Sequence, residues 1–196
     1  MDALDTEVLL QPVLADLAAV VAAIEPNQLD QPSPNAERDV ATLRSHTIGW
    51  LDAFASGFAD PDGKAPLEHS EDFAVDDAGA QVRAAAARLD AAIAVGAGQR
   101  PLFIGTSSMP GEMSLSMILW EYLVHGWDLA RATGQDWSPA DAAVQAALEF
   151  APGMLTPDFQ GAGKAFGPPV EVSADAAPLD RLLGLSGRDP SWTPPT

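Results

Sequence analysis

The chain contains no cysteine, few positively charged residues and only three histidines. Without cysteine, neither a disulfide framework nor a cysteine-ligated zinc site can form, and any thiol chemistry must use a thiol from outside the protein. Ten basic residues against 28 acidic ones give a formal net charge of −18 at pH 7. Nucleic acids and anionic membrane surfaces require a basic footprint, so we expect neither as a partner.

Long apolar runs and a basic N-terminal start are also missing. No stretch of the sequence reaches the length of a membrane-spanning helix. The opening MDALD is acidic, unlike the beginning of a secretory signal peptide. Both observations predict a cytoplasmic protein. The length of 196 residues suits one domain with a substantial core, and an alanine-rich hydrophobic fraction of 47% favours helix.

Apolar residues recur at helical spacing in four long segments, which we predict as helices over 7–24, about 36–58, 76–95 and 114–133. A fifth helix is predicted from Ser138, where a proline follows in the first turn, to Pro152. A short helix is expected over 178–185 and a short strand over 170–172.

The segments between these helices are rich in glycine and proline. Long connections are expected at 60–72 and 96–110. Four principal helices with such connections predict an all-α fold, a four-helix bundle over about 5–152 with an extra helix. An irregular tail over 153–196 completes a single domain, 1–196. The loop lengths leave the order of the helices in the bundle open.

Glu121 and His125 are the most informative pair in the sequence. Four residues apart on a helix, they present a carboxylate and an imidazole on one face, one turn apart. The surrounding segment is apolar, where an unpaired acid is costly. A divalent metal ion would explain why the acid is tolerated, since carboxylates and imidazoles are its common ligands.

His46 is the third candidate ligand, because it shares an inward stripe with Leu43, Trp50 and Phe54 on the second helix. His69 lies in a charged run that we predict to be a solvated loop, so we do not select it. Asp128 has two interpretations. It either orients a ligand imidazole through a hydrogen bond, or forms an ion pair with an arginine, Arg131 or Arg44.

Structural interpretations compete with this one. An inward histidine is more often a hydrogen-bonded core residue than a ligand, and a glutamate four residues before a histidine is a weak metal signal by itself. The tryptophans at 50, 120 and 127 are more often core residues than a substrate platform. The residues therefore leave a metal site and a purely structural polar cluster both open.

The run EYLVHGWDLARATG over 121–134 resembles the signature of the DinB-like metal-binding bundles. Its closest resemblance is to the branch related to the N-terminal domain of mycothiol-dependent maleylpyruvate isomerase. His46 followed by Ile48 and Gly49 is similar to that branch, as are FGPPV at 166–170, DRLL at 180–183 and GRDP at 187–190. The resemblance extends over nearly the whole chain.

The resemblance implies a metal triad of His46, Glu121 and His125, with Asp128 beside it. It implies a divalent metal, zinc in the first place, with nickel or another ion able to occupy such a site. It also implies mycothiol as an external thiol acting with a small electrophile. The isomerase has a further C-terminal domain that contributes to its active site, whereas this sequence ends at Thr196, so isomerisation of maleylpyruvate itself is not transferred.

Two positions depart from the related chains, which often carry cysteine and tryptophan in the loop before the second helix. Here those positions are Asn35 and Arg38, so we expect a different helix start and pocket rim. Three functions remain, in this order: a metal-dependent thiol transferase or isomerase, a metal-dependent hydrolase, and a non-catalytic metal-binding or dimerising bundle. The alanine-rich helices would permit a homodimer. No residue is assigned as general acid or base.

Overall fold

Helices make up most of the chain in a computed structural model, which describes residues 3–68, 73–157, 159–162 and 166–195. Within these residues the α-helices are α1 (Ala3–Ala22), α2 (Val40–Ala59), α3 (Ala78–Ala94), α4 (Gly111–Thr133), α5 (Asp141–Met154) and α6 (Pro178–Leu185). The predicted all-α class and all six predicted helices are confirmed. None of the helices in the described residues is long and apolar enough to cross a bilayer.

The first four helices form the bundle, and neighbours in sequence are not always neighbours in space. Both α1 and α2 pack against α3 and against α4, which puts α1 and α2 on opposite corners. The chain therefore crosses the bundle diagonally between α1 and α2 and again between α3 and α4. Outside this bundle, α5 packs on α4 and α6 packs on α5.

The second helix begins later than the sequence pattern predicts. Asp39 is its N-cap, and the Asp39 Oδ1 atom accepts a hydrogen bond of 2.8 Å from the Thr42 amide. An aspartate here satisfies a helix-end N–H group, so it fixes the start at Val40 rather than near residue 36. At the other end of the bundle, Gly134 stops α4 in the left-handed conformation at φ 71°, as predicted.

A small sheet occupies parts of the two connections predicted to be irregular. β1 (Lys64–Ala65) pairs in parallel with β2 (Leu102–Ile104), which pairs antiparallel with β3 (Ser107–Met109). The predicted strand at 170–172 is wrong: within the described part of the chain these residues pair with no strand, and the Val170 amide donates to the Gly184 carbonyl oxygen. That bond fastens the tail to α6 instead.

One buried hydrogen bond joins the two helices that carry the candidate ligands. Tyr122 is 1% exposed, and its hydroxyl donates to the Thr47 carbonyl oxygen at 3.0 Å. Tyr122 follows Glu121 in α4, and Thr47 follows His46 in α2. The bond therefore fixes α2 against α4 beside the candidate site.

Replacing Tyr122 with phenylalanine removes this bond while keeping the ring. We expect the Tyr122→Phe variant to lose about 1 kcal/mol of unfolding free energy, the usual net value of a buried hydrogen bond. Urea denaturation followed by circular dichroism measures the loss. An unchanged midpoint would show that the hydroxyl contributes nothing to the contact between α2 and α4.

Candidate metal centre

A cavity of about 470 Å³ opens between α2, α4, the sheet and the tail. Its polar wall contains His46, Glu121 and His125, the three ligands selected from the sequence. Its apolar wall is formed by Trp50, Phe54, Ile104, Met117, Val124 and Phe166. A cavity of this volume matches the usual size of a small-molecule site. The three residues therefore share one pocket, although they come from two helices.

The two imidazoles lie next to one another at this cavity, in an edge-to-face contact. Their ring centroids are 5.6 Å apart, and the planes are nearly perpendicular at 88°. His46 also makes an edge contact with Trp50, at 6.4 Å between centroids. The predicted inward stripe on α2 is thereby confirmed, with Leu43 and Phe54 buried, and His46 and Trp50 half-buried at the cavity.

The donor types fit a divalent metal, but the side chains do not yet converge on one point. Two imidazoles and a carboxylate on one cavity wall are the donor set of an open zinc site. Among the described residues, however, no three His, Cys, Asp or Glu side chains are close enough together to hold an ion as they stand. Metal ligation by His46, Glu121 and His125 therefore stays a prediction. His69, which we did not select, lies outside the described residues.

The environment keeps the His46 imidazole neutral. Burial, together with the nearby His125 and Arg38, lowers its pKa from the ordinary value of 6.5 to about 3. A neutral imidazole has a lone pair on one ring nitrogen and is the form that binds metals. Protons would therefore not compete for His46 at neutral pH.

The pKa of Glu121 shifts in the direction opposite to that of His46. Burial raises the pKa of its carboxyl group, while His125 and Arg188 act against that rise. The cavity thus penalises a bare carboxylate, and a cation beside it would relieve the penalty.

Asp128 is fully buried and pairs with an arginine of the tail. The Arg188 Nε atom lies 3.3 Å from both carboxylate oxygens, and its Nη2 atom lies 3.0 Å from Oδ2. The Arg188 Nη1 atom donates to the Ser186 carbonyl oxygen at 3.0 Å. Burial alone would raise the pKa of Asp128, but Arg188 and His125 outweigh it and lower the pKa. A charge this deep is tolerated because it is paired.

The predicted arginine partners of Asp128 are wrong. Arg131 instead donates its Nε hydrogen to the Trp192 carbonyl oxygen at 2.8 Å. Arg44 has a buried Nε atom without a hydrogen-bond partner in the described residues. The actual partner, Arg188, is 60 residues away in sequence. Arg131 follows Asp128 closely in the sequence of α4, but the tail folds back so that Arg188 is the residue that contacts Asp128.

Asp128 also lies beside His125, which was the other interpretation. The Asp128 Oδ2 atom is 3.5 Å from the His125 Nδ1 atom. This is an electrostatic contact at the edge of hydrogen-bond range, and among the described residues Nδ1 makes no hydrogen bond of regular geometry. Asp128 therefore serves both an arginine and a histidine, and the carboxylate favours the tautomer with hydrogen on Nδ1.

Four further polar residues at the cavity were not selected from the sequence as site residues: Asn35, Glu37, Arg38 and Arg188. Arg188 lines the cavity from the tail, and Arg38 lines it from the loop before α2. The Arg38 Nη2 atom lies 3.3 Å from the His46 Nδ1 atom. The sequence marks Arg188 through the GRDP run and Arg38 through its departure from related chains. No local pattern, however, indicates which distant side chain each of them contacts.

Comparison with known proteins agrees with this architecture. The family described as the mycothiol maleylpyruvate isomerase N-terminal domain matches residues 10–130, more than half of the chain. The chain belongs to this family. The match includes α2 and nearly all of α4, so it contains all three predicted ligands and Asp128.

Two relatives of this member of the mycothiol maleylpyruvate isomerase N-terminal domain family are described as uncharacterized proteins. Two uncharacterized proteins from two strains of Mycobacterium tuberculosis are each 27% identical to it over 179 residues. Each alignment includes 87% of this chain and 91% of the relative. No solved structure matches the chain significantly.

The depressed pKa of His46 predicts how the metal-free protein responds to acid. Between the ordinary pKa of 6.5 and the folded value of about 3, the unfolded chain binds a proton at His46 that the folded chain does not. Folding stability therefore falls as the pH is lowered through this range, by up to about 1.4 kcal/mol per pH unit from this residue. We expect the unfolding free energy of the His46→Gln variant, measured by urea denaturation, to fall less steeply as the pH is lowered. Identical slopes would contradict the burial of a neutral His46.

The buried ion pair predicts a strongly non-additive double-mutant cycle. Asp128→Asn or Arg188→Gln alone leaves one charge buried without its partner, which costs about 3–5 kcal/mol. The double variant removes both charges and should cost much less than the sum of the two. Denaturant unfolding of the four proteins measures the coupling. Additive losses would show that the two residues do not act as a pair.

Proposed function

We propose that this protein binds a divalent metal ion through His46, Glu121 and His125, and uses it to activate an external thiol toward a small electrophile. The observation that carries the proposal is the pair of adjacent imidazoles, with ring centroids 5.6 Å apart, in a cavity that Glu121 also lines. Membership of a family whose description names mycothiol supports mycothiol as the thiol.

The donor set favours zinc as the ion. Two imidazole nitrogens and one carboxylate oxygen form a common three-ligand catalytic site, which keeps one position open. Nickel or another ion could use the same donors, because ligand type alone does not select the metal. The neutral His46 and the raised pKa of Glu121 support this assignment, since a bound ion would favour the ionised carboxylate.

Each neighbouring residue has a defined part in this proposal. Asp128 orients the His125 imidazole, and Arg188 holds Asp128 ionised in the protein interior. The apolar wall, which includes Trp50, Phe54 and Met117, excludes water from the reacting atoms and contacts the carbon skeleton of the electrophile. These residues bind and orient the reactants, and no side chain is assigned as general acid or base.

The thiol has to come from solution, because the sequence contains no cysteine. A bound divalent ion would lower the pKa of a coordinated thiol, which supplies thiolate at neutral pH. The electrophile in this proposal is a C=C bond conjugated to a carbonyl group: the thiolate sulfur bonds to the alkene carbon while the π pair moves to the carbonyl oxygen and leaves an enolate. In a transferase the enolate carbon takes up the proton that the thiol lost, and the sulfur–carbon bond persists in the product. In an isomerase the former double bond rotates as a single bond, the enolate pair restores C=C, and the sulfur leaves as thiolate.

The first experiment tests metal binding. His69, the one histidine of the sequence that is not predicted as a ligand, serves as the control. Protein purified without a histidine tag, stripped of metal and titrated with Zn²⁺ against a chromophoric chelator should bind one ion. We expect His46→Ala or His125→Ala to weaken binding by more than about 100-fold, because even the loss of a residue that hydrogen-bonds a ligand costs about 10- to 100-fold. His69→Ala should leave the affinity unchanged. Equal affinities in all four proteins would contradict the site.

The second experiment distinguishes the thiol function from its alternatives. In the Co²⁺-loaded protein, mycothiol should produce a new sulfur-to-metal absorption band, and His125→Ala should abolish it. An unchanged spectrum with an open metal position would favour hydrolysis, in which water takes that position. A coordinatively saturated ion, or no bound ion, would favour a non-catalytic bundle.

A further inference from the structure

We propose that Arg38 controls metal loading, because its guanidinium has to leave His46 before that residue can bind an ion. The inference rests on the proposed function and deepens it by naming a residue that opposes the metal. The observation behind it is the contact of 3.3 Å between the Arg38 Nη2 atom and the His46 Nδ1 atom. Both residues lie on the wall of the same cavity.

The chemistry of the two groups determines the direction of this hydrogen bond. A guanidinium has only N–H donors and remains protonated in proteins. Arg38 can therefore only donate, and the His46 Nδ1 atom has to accept with its lone pair. A neutral imidazole has one such lone pair, so the hydrogen of His46 is then on Nε2.

Neither ring nitrogen of His46 can bind a metal while this contact persists. A metal on Nδ1 would need the same lone pair that accepts the Arg38 hydrogen. A metal on Nε2 would require the hydrogen to move to Nδ1, where two N–H donors would then face each other. The contact with Arg38 and ligation of a metal by His46 exclude each other in either tautomer.

Electrostatics act in the same direction. A guanidinium in contact with a ligand repels a divalent cation at that ligand, and it does so strongly in a partly buried cavity. The absence of a convergent three-residue donor group among the described residues agrees with this state of the pocket. All three predicted ligands line the cavity, but the guanidinium of Arg38 contacts His46.

The local backbone allows the Arg38 side chain to leave without unfolding the loop. The Ser33 hydroxyl donates to the carbonyl oxygens of Arg38 at 2.7 Å and of Asn35 at 3.1 Å. Asp39 then caps α2 through the Thr42 amide. These bonds hold the backbone on both sides of Arg38, so its side chain can move away from His46 while the loop stays folded.

The test compares two arginine variants that remove the same charge. Arg38→Met removes the N–H donors of residue 38 and keeps a long apolar side chain. Arg83→Met removes an exposed arginine of α3 that does not line the cavity. In Zn²⁺ competition titrations, we expect Arg38→Met to bind about tenfold or more tightly than the wild type, the value of a charge-assisted hydrogen bond. Arg83→Met should match the wild type.

A second measurement determines which ring nitrogen of His46 carries the hydrogen. In ¹⁵N NMR spectra of the metal-free wild type, His46 should have an unprotonated Nδ1 and a protonated Nε2. Saturation with Zn²⁺ should change the Arg38 side-chain signals together with those of His46. In Arg38→Met, the preference for that tautomer should be lost.

The outcomes separate this inference from the proposed function. If wild type and Arg38→Met bind Zn²⁺ equally well, or Arg38→Met binds it more weakly, Arg38 does not oppose the metal and the inference is wrong while the metal site stands. A protonated Nδ1 in the metal-free wild type overturns it as well. If neither protein binds Zn²⁺, the proposed metal function fails, and control by Arg38 fails with it.

Discussion

The buried carboxylate of Asp128 is the constraint on which the architecture around the cavity depends. A charge with 0% exposure is stable in the protein interior only when it is paired. Arg188 supplies the partner from the tail, so the tail has to return to α4 and close one side of the cavity. The same carboxylate lies 3.5 Å from the His125 Nδ1 atom. One interaction thereby joins tail position, cavity shape and the orientation of a candidate ligand.

The cavity contrasts with the strongly acidic protein around it. Two arginines, two histidines and only two glutamates line it, in a chain whose formal net charge is −18. Arg188 neutralises Asp128, and Arg38 engages His46. In the proposed function a divalent ion takes over part of this role, since it relieves the penalty on Glu121 and needs the lone pair that Arg38 now occupies. In this proposal, Arg38 and a divalent metal ion compete for the same imidazole, that of His46.

The helices could be predicted from sequence because each has a long apolar stripe with recognisable end signals, such as Gly134 after α4. The strands β1 to β3 are two or three residues long, too short for a periodic pattern to form. His46, Glu121 and His125 could be brought to one cavity by helical faces and by family resemblance. Arg188 and the contact of Arg38 with His46 could not, because each depends on how a loop or the tail returns to the bundle, and local spacing contains no record of that path.

X-ray absorption spectroscopy of the Zn²⁺-loaded protein tests the central claim most directly, since it reports the atoms bound to the ion. Ligation by His46, Glu121 and His125 predicts two imidazole rings and oxygen donors, with Zn–N distances of about 2.0–2.1 Å. Addition of mycothiol should introduce one sulfur at about 2.3 Å. A spectrum with oxygen neighbours alone, and no imidazole scattering, would contradict the account.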